Sequence, residues 1–267
     1  MDEPLVLDTA TRLGGNAAGR VAICGSHGGI YPAWLAAKAR VRAAILNDAG
    51  VGKDNAGVGG LAWLEKLGIA ACTVDHATAR IGDGGDMVSH GKVSHANSLA
   101  AALGCKTGMP CKEAAQHLHR AHPHTGAVPD LGETRTKIPA SGKREVWALD
   151  SITLLRADDR RAIVASGTHG GVLGGRADDG IIAVEVFAAF FNDAGGGKDG
   201  AGYARLAAID PRGIAAATVS ANTARIGDGR STYETGVLSR VNVVAKRLGL
   251  AEGMGAREAV ARLLGLA

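Results

Sequence analysis

One stretch of eight residues occurs twice in this chain. The first copy reads Asn47-Asp48-Ala49-Gly50-Val51-Gly52-Lys53-Asp54, and the second reads Asn192-Asp193-Ala194-Gly195-Gly196-Gly197-Lys198-Asp199, with one substitution among the eight positions. A further stretch, Thr78-Ala79-Arg80-Ile81-Gly82-Asp83-Gly84, returns unchanged at positions 223–229. Both pairs are separated by 145 residues. This spacing predicts that the chain is built from two similar folding units.

Two shorter motifs extend the repeat toward the start of each unit. His27-Gly28-Gly29 returns as His169-Gly170-Gly171, and Leu7-Asp8 returns as Leu149-Asp150, both at a spacing of 142 residues. We therefore expect a first α/β repeat at residues 1–120, a connector at 121–145 and a second α/β repeat at 146–267. Units of this size lie within the range of about 50–250 residues usual for a domain. Internal duplication also predicts a pseudo-two-fold axis between the two units.

Short apolar runs alternate with helical segments in both units. Strands are predicted at 20–24, 41–46, 69–74, 162–166, 183–191 and 213–219, with edge strands at 5–7 and 146–149. Helices are predicted at 30–40, 60–67, 94–103 (capped by Ser94), 112–119, 239–248 and 256–264. The helix after Gly171 is less clear, because glycines interrupt it. The alternation predicts the α/β class, with a mainly parallel sheet flanked by helices in each tandem unit.

The composition is typical of a globular protein, with 46% hydrophobic and 21% charged residues. The net charge of +4 is mild, and the basic residues rarely lie beside aromatic ones, so a nucleic-acid partner is not expected. No run approaches the roughly 18 apolar residues that a membrane span needs. The first residues lack the pattern of a signal peptide. All four cysteines fall in the first unit, which favours free thiols and a cytoplasmic location.

All three repeated signatures follow a predicted strand. Ligands of open parallel α/β sheets bind beyond the carboxyl ends of the strands. The motifs around His27, at 47–54 and at 75–83 should therefore lie at one edge of each sheet. This placement predicts a candidate site in each unit, or one site shared by both units.

His27 and His169 are the candidates for proton transfer, because an unperturbed imidazole titrates near neutral pH. Asp48 and Asp193 follow a strand end, where either carboxylate is expected to orient the imidazole, act as a base or bind a metal. The competing interpretation is that these motifs only stabilise their own turns. The glycines then serve a tight turn, and the Asn-Asp-Ala-Gly segment is a turn whose side chains bond their own backbone.

Further repeated polar residues are candidates for binding the substrate and its charge: Ser26, Thr168, Lys53, Lys198, Asp54, Asp199, Arg80, Arg225, Thr78 and Thr223. Arginine can hold a carboxylate or phosphate with two hydrogen bonds. Equally, Asp83 and Asp228 are placed to clamp the two arginines structurally, and the two threonines are placed to cap the helices that follow them. At two other positions the repeats differ, since Asp75-His76 becomes Ser220-Ala221. If catalysis needs either residue, one unit alone would be active.

Neither repeat contains a P-loop or the glycine fingerprint of dinucleotide-binding proteins. No organic cofactor is therefore predicted, while the clustered His and Asp residues leave a divalent metal open.

The leading hypothesis is a small-molecule metabolic enzyme. We expect a hydrolase that acts on a small polar anionic carbonyl or amide compound, with His/Asp acid–base chemistry and Lys/Arg anion binding. Isomerase or lyase chemistry is a further candidate. A non-catalytic small-anion binding or sensor protein is the alternative, and a third interpretation makes the recurring loops a structural contact between halves or subunits. A homo-oligomer is compatible with each of these.

Overall fold

The computed structural model describes residues 3–176 and 182–266. The first sheet contains five strands in chain order, namely β1 (Leu5–Leu7), β2 (Val21–His27), β3 (Ala43–Asn47), β4 (Ala70–Val74) and β5 (Val93–Ala96). The strands β1 to β4 are parallel, and β5 is antiparallel to β4.

The second sheet has the same core and one additional strand. Its strands are β6 (Arg135–Ile138), β7 (Val146–Leu149), β8 (Ile163–His169), β9 (Ala188–Asn192), β10 (Ala215–Val219) and β11 (Leu238–Val241). The strands β7 to β10 are parallel, and β6 and β11 pair antiparallel at the two edges. The expected α/β class with two similar-sized, mainly parallel units is confirmed.

Helices cover both faces of each sheet. They are α1 (Ile30–Lys38), α2 (Gly59–Lys66), α3 (Gly84–His90), α4 (Ser98–Ala102), α5 (Cys111–Leu118), α6 (Ala204–Ile209), α7 (Gly229–Thr235), α8 (Val243–Arg247) and α9 (Ala256–Leu264). In the first unit, α1 and α2 pack on one face, while α3, α4 and α5 pack on the other. The strands present mostly Ala, Val, Ile and Leu, and β9 adds the buried Phe190 and Phe191 to the cores of the second unit.

Membrane-spanning helices are missing from the described residues, since none has the required length and apolar character. The four cysteines are buried free thiols, as expected.

The helix predicted from Ser94 is wrong at its start. Ser94 lies in strand β5, and Asn97 caps α4 by accepting a hydrogen bond from the Ala100 N–H. The second unit has the same arrangement, with Ser239 in β11 and Asn242 capping α8. A short antiparallel strand followed by a short helix contains the same small residues as one longer helix, so pattern alone does not separate them.

The segment read as a connector contributes structure. Arg135–Ile138 forms β6, which pairs with β7 and makes the expectation of β7 as an edge strand wrong. After Gly171 the described chain holds only a single 3-10 turn at Leu173–Gly175 in place of an α-helix. The rest of that predicted helix falls partly at residues 177–181, which lie outside the described residues.

The two units are joined through the repeated eight-residue loops. The Lys53 N–H donates to the Ala221 carbonyl at 2.8 Å, and the Lys198 N–H donates to the His76 carbonyl at 2.8 Å. Gly50 lies against Gly195, since a Cβ built on Gly50 would be 2.8 Å from the Gly195 Cα. A small apolar cluster of Ala49, Ile81, Ala194, Ala201 and Ile226 fills the contact.

This contact predicts a large effect of a single methyl group at Gly195. Gly195 has φ +74°, and an added Cβ would lie 2.9 Å from the Gly50 Cα and 2.9 Å from the His76 Cδ2. We expect Gly195→Ala to lower the free energy of unfolding by about 3 kcal/mol or more, from left-handed strain and overpacking together. Urea unfolding measures the loss.

Gly213 provides the matched control, because it has φ +68° and open space within 4 Å of an added Cβ. Gly213→Ala should lower the free energy of unfolding by only about 1–2 kcal/mol, the strain of a left-handed alanine. Equal losses in the two variants would show that the units are not packed together at Gly195.

Candidate functional site

The two repeated histidines occupy equivalent strand ends. His27 is the last residue of β2 and is in register with Asn47 of β3, while His169 ends β8 in register with Asn192 of β9. Both strands have an irregular register just before the histidine. The sequence prediction that these residues lie at the carboxyl ends of the strands is confirmed.

Each imidazole is held by the second glycine that follows it. The Gly29 N–H donates to the His27 Nδ1 at 3.1 Å, and the Gly171 N–H donates to the His169 Nδ1 at 3.1 Å. A Cβ at Gly29 would lie 2.6 Å from that Nδ1, so a larger residue would displace the ring. The repeated His-Gly-Gly motif is therefore the means of fixing each histidine.

Burial sets the protonation state of both rings, and the contact with glycine sets the tautomer. Burial lowers the pKa of His27 to about 4. Burial also lowers the pKa of His169 to about 3, and the charges of Arg205 and His27 add to that shift. Both rings are therefore neutral at pH 7. Because Nδ1 accepts a hydrogen bond, the remaining proton is on Nε2, and each ring presents an N–H donor.

Both histidines line one cavity of about 140 Å³ between the two units. We call it the central cavity, and its polar lining includes His27, His169, Ser26, Thr168, Glu133 and Arg205. Each ring also approaches the opposite unit: a Cβ at Gly227 would lie 3.3 Å from the His27 Cε1, and one at Gly82 would lie 3.6 Å from the His169 Cε1. Both repeats thus line one cavity.

Glu133 enters the central cavity from the connector, and the sequence prediction missed it. Burial raises the pKa of Glu133 to about 7, against the opposing effect of its hydrogen bond with Tyr31. The carboxyl group therefore exchanges its proton near neutral pH, as a general acid or base requires. Glu133 lies in the connector and has no counterpart in the sequence repeat. Comparison of the two repeats therefore could not identify it.

The segment around Glu133 is anchored on both sides. The Trp34 Nε1–H donates to the Pro129 carbonyl at 2.9 Å. On the other side, the Thr134 N–H donates to Asp150 Oδ2 at 2.7 Å. These bonds fix the carboxyl group of Glu133 over the cavity.

Arg205 is a second residue that the sequence prediction missed. It lines the central cavity, is 2% exposed, and donates from Nη2 to the Gly171 carbonyl at 2.8 Å. Burial lowers the pKa of Arg205 to about 10, so it keeps its charge at pH 7. The first repeat has Gly60 at the matching position. The second unit therefore contributes a positive charge, Arg205, as well as the carboxylate Asp150 to the lining of the cavity.

The expected hydroxyls are present in the central cavity, and each already has a structural task. Ser26 Oγ accepts from the Ala10 N–H at 2.8 Å, and Thr168 Oγ1 accepts from the Ile152 N–H at 2.8 Å. These bonds hold the turns that follow strands β1 and β7. Ser26 Oγ also donates to the Thr9 Oγ1 at 3.4 Å, so its hydroxyl is fully engaged by the turn.

Asp48 is not the partner of His27. Its Oδ1 accepts hydrogen bonds from the Gly50 N–H, the His76 N–H and the His76 Nδ1, at 3.0, 3.0 and 2.9 Å. Burial raises the pKa of Asp48, but the bonds from His76 outweigh it and leave the pKa below its usual value. The same hydrogen bond, opposed by burial, raises the pKa of His76.

Asp193 also accepts hydrogen bonds from backbone N–H groups, but among the described residues no histidine side chain bonds to it. Its Oδ1 accepts from the Gly195 N–H at 2.9 Å and from the Ala221 N–H at 2.8 Å. Asn47 and Asn192 complete the turns, each accepting from the N–H two residues later at 2.9 Å. The local-turn interpretation of the Asn-Asp-Ala-Gly segment is confirmed.

Within the described residues, one group of His, Cys, Asp or Glu side chains brings its ligand atoms within 4.8 Å of one another: Asp48, Asp75 and His76. Nitrogen and carboxylate donors of this kind suit zinc or manganese. The His76 Nδ1 is, however, already bonded to Asp48, and these three residues lie outside the lining of the central cavity.

The repeated cations are paired across the contact between the units. Arg80 Nη1 donates to Asp199 at 2.9 Å, and Arg225 Nη1 donates to Asp54 at 3.2 Å. Both arginines also bind the aspartate three residues later, as the clamp interpretation expected. These contacts support a structural role for the Arg and Asp residues that were considered for substrate binding.

The repeated lysines also reach across. Lys198 Nζ donates to Asp86 Oδ1 at 2.7 Å, and Lys53 Nζ donates to Thr235 Oγ1 at 3.0 Å. Asp86 is buried, and Arg80 Nη2 lies 3.2 Å from its Oδ1. The lysines therefore make hydrogen bonds across the interface between the units, and neither lines the cavity that contains His27 and His169.

Thr78 and Thr223 do not cap the helices that follow. Their hydroxyls donate to the carbonyls of Asp75 and Ser220 at 2.8 and 2.9 Å. The caps of α3 and α7, two helices absent from the sequence prediction, are Asp83 and Asp228. A motif read as a loop thus contains a helix start.

No family model, curated protein or solved structure matches this chain.

The hydrogen bonds at Nδ1 predict the spectroscopic state of both rings. At pH 6, long-range ¹H–¹⁵N correlation spectra should show two neutral rings with the proton on Nε2. Their titration midpoints should lie below about pH 5, because burial lowers both pKa values. His27→Gln and His169→Gln assign the signals. A midpoint near 6.5 for either ring would contradict the described geometry.

The lysine contacts predict unequal losses of stability. Lys198→Met removes a charged donor from buried Asp86 and should lower the free energy of unfolding by about 2 kcal/mol. The matched variant Lys53→Met removes a donor from a hydroxyl and a carbonyl and should lower it by less than about 1 kcal/mol. Urea unfolding at pH 7 compares the two. Equal losses would mean that Asp86 does not depend on Lys198.

Proposed function

We propose that the protein is an enzyme that hydrolyses a small polar anionic carbonyl or amide compound in the central cavity. One observation carries the proposal: the two repeated histidines face the same cavity as neutral donors, beside a carboxyl group that titrates near pH 7. Groups whose surroundings push their pKa values apart are typical of acid–base sites.

In this proposal the histidines act as hydrogen-bond donors. A neutral imidazole N–H can polarise a carbonyl and stabilise the negative charge that develops on its oxygen. His27 and His169 would supply two such donors. This role replaces the general acid–base role that the sequence suggested for them, because their Nδ1 atoms already accept hydrogen bonds.

Glu133 would move the proton. Its carboxylate takes a proton from water as the water oxygen attacks the carbonyl carbon, and it returns that proton to the leaving group. Arg205 adds positive potential at the wall, which favours an anionic substrate. The cavity volume of about 140 Å³ lies below the roughly 300–1,000 Å³ usual for small-molecule sites, so the reacting group is small.

Isomerisation is the second candidate, favoured by the same pair of groups. Abstraction of a proton next to a carbonyl also needs a carboxylate base and a neutral donor on the carbonyl oxygen. A sensor of small anions would need the donors but not a carboxyl group that titrates near pH 7. The reciprocal contacts of the loops support the pseudo-two-fold relation, which is part of the proposal. Cytoplasmic location and homo-oligomer formation stay predictions.

Turnover of a panel of small amides, lactams and keto acids, followed by NMR in H₂¹⁸O and D₂O, tests the reaction class. Hydrolysis incorporates ¹⁸O into the product, whereas isomerisation incorporates deuterium at carbon. Glu133→Gln should reduce kcat by about 10²–10⁴-fold, and each of His27→Gln and His169→Gln by about 10²-fold or more. Binding without turnover across the panel would favour the sensor.

The pH profile gives an independent check. Glu133 works as a base when ionised, so kcat/KM should rise with pH through about 7 and fall away below it. Glu133→Gln should remove this limb. Glu145→Gln, which changes an exposed glutamate on the other side of β6, should leave it unchanged. A profile that Glu133→Gln does not alter would remove Glu133 from the mechanism.

A further inference from the structure

A second cavity adjoins the central cavity on the side of the first unit. Its volume is about 340 Å³, and we call it the outer chamber. Its lining includes His27, Ile30, Tyr31, Leu131, Glu133 and Ile226.

The two cavities lie side by side and share part of their lining. His27, Tyr31 and Glu133 line both of them. Tyr31 and Glu133 therefore lie where one cavity meets the other. A molecule held at the histidines that extends past Glu133 would enter the outer chamber.

The sizes of the cavities favour a substrate that occupies both. Sites for small molecules usually have volumes of about 300–1,000 Å³. The central cavity, at about 140 Å³, falls below this range by itself, whereas the outer chamber, at about 340 Å³, falls within it.

The lining of the outer chamber favours an apolar group. Ile30, Leu131 and Ile226 supply aliphatic surface, and Ile30 is 46% exposed although it is a large aliphatic residue. The one cation of the lining, Arg225, is neutralised by Asp54 and Asp228 at 3.2 and 2.8 Å. The lining also contains the carboxyl groups of Glu133 and Asp150, which make a second anionic group unfavourable there.

The corresponding residues of the opposite repeat line a cavity that is related differently to the central cavity. The cavity beside Arg80 and Asp199 has a volume of about 380 Å³ but shares no lining residue with the central cavity. The connector residues Leu131 and Glu133 line the outer chamber and are absent from the lining of the cavity beside Arg80. The two repeats are therefore unequal at this point.

We propose that the substrate is a monoanion with an apolar extension, whose anionic or carbonyl end lies between His27 and His169 and whose apolar end fills the outer chamber. This inference rests on the proposed function, because it uses the same histidine donors. It adds the chemical class of the part of the substrate that does not react.

Straight-chain carboxylates serve as the probe, and calorimetry on the full chain measures their Kd. Affinity should increase about threefold to fourfold for each methylene from butanoate to octanoate, the effect of burying one CH₂ group. Acetate should bind weakly and shift the NMR signals of His27 and His169. 6-Aminohexanoate should bind less tightly than hexanoate, because its ammonium group must lose water against the aliphatic wall of Ile30, Leu131 and Ile226.

Two variants test the chamber wall. Ile30→Asn should weaken octanoate by about tenfold and leave acetate unchanged, and Leu131→Trp should remove the dependence on chain length by filling the space. Val243→Asn is the matched control, since Val243 is also an exposed aliphatic residue at the first position of a helix. It should alter neither Kd.

The outcomes separate the two proposals. If acetate shifts the histidine signals but affinity is flat along the series, the central site stands and the apolar extension is wrong. Tighter binding of 6-aminohexanoate than of hexanoate also overturns the apolar extension. If no carboxylate binds or shifts the histidine signals, the anion site between the histidines falls, and the extension falls with it.

Discussion

The exchange of two backbone hydrogen bonds between the units is the constraint on which the site depends. Lys53 donates to the Ala221 carbonyl, and Lys198 donates to the His76 carbonyl. Gly50 and Gly195 pack against each other at the same place, which fixes the position of one unit against the other. This arrangement brings the end of β2 and the end of β8 to the two sides of one cavity. The repeated Lys, Arg and Asp side chains reinforce the contact, which accounts for their recurrence in both repeats.

The neutrality of the histidines follows from the same local design. A glycine two residues later places its N–H on Nδ1, and burial disfavours the charged ring. The two effects leave one donor on each ring, directed away from its own backbone contact. Two such donors facing one small space are suited to an oxygen acceptor, and this is the chemical basis of the proposed reaction.

The repeats differ where function would need asymmetry. Arg205 stands where the first repeat has Gly60, although both residues make the same backbone hydrogen bond to the first glycine after the histidine. The segment that carries Glu133 occurs once and covers one side of the cavity. Two similar units thus surround a cavity with a buried arginine on one side and a carboxyl group of raised pKa on the other.

The sequence by itself determined the α/β class, the parallel strands and the placement of His27 and His169 at strand ends, because periodicity and repeated motifs are local properties of the chain. It could not separate Ser94 in a strand from a helix cap, since both use a small polar residue. The pairing of Asp48 with His76, the crossing of the lysines and the entry of Glu133 were decided only by tertiary structure. These contacts join residues distant in sequence, and their geometry depends on how two whole units pack.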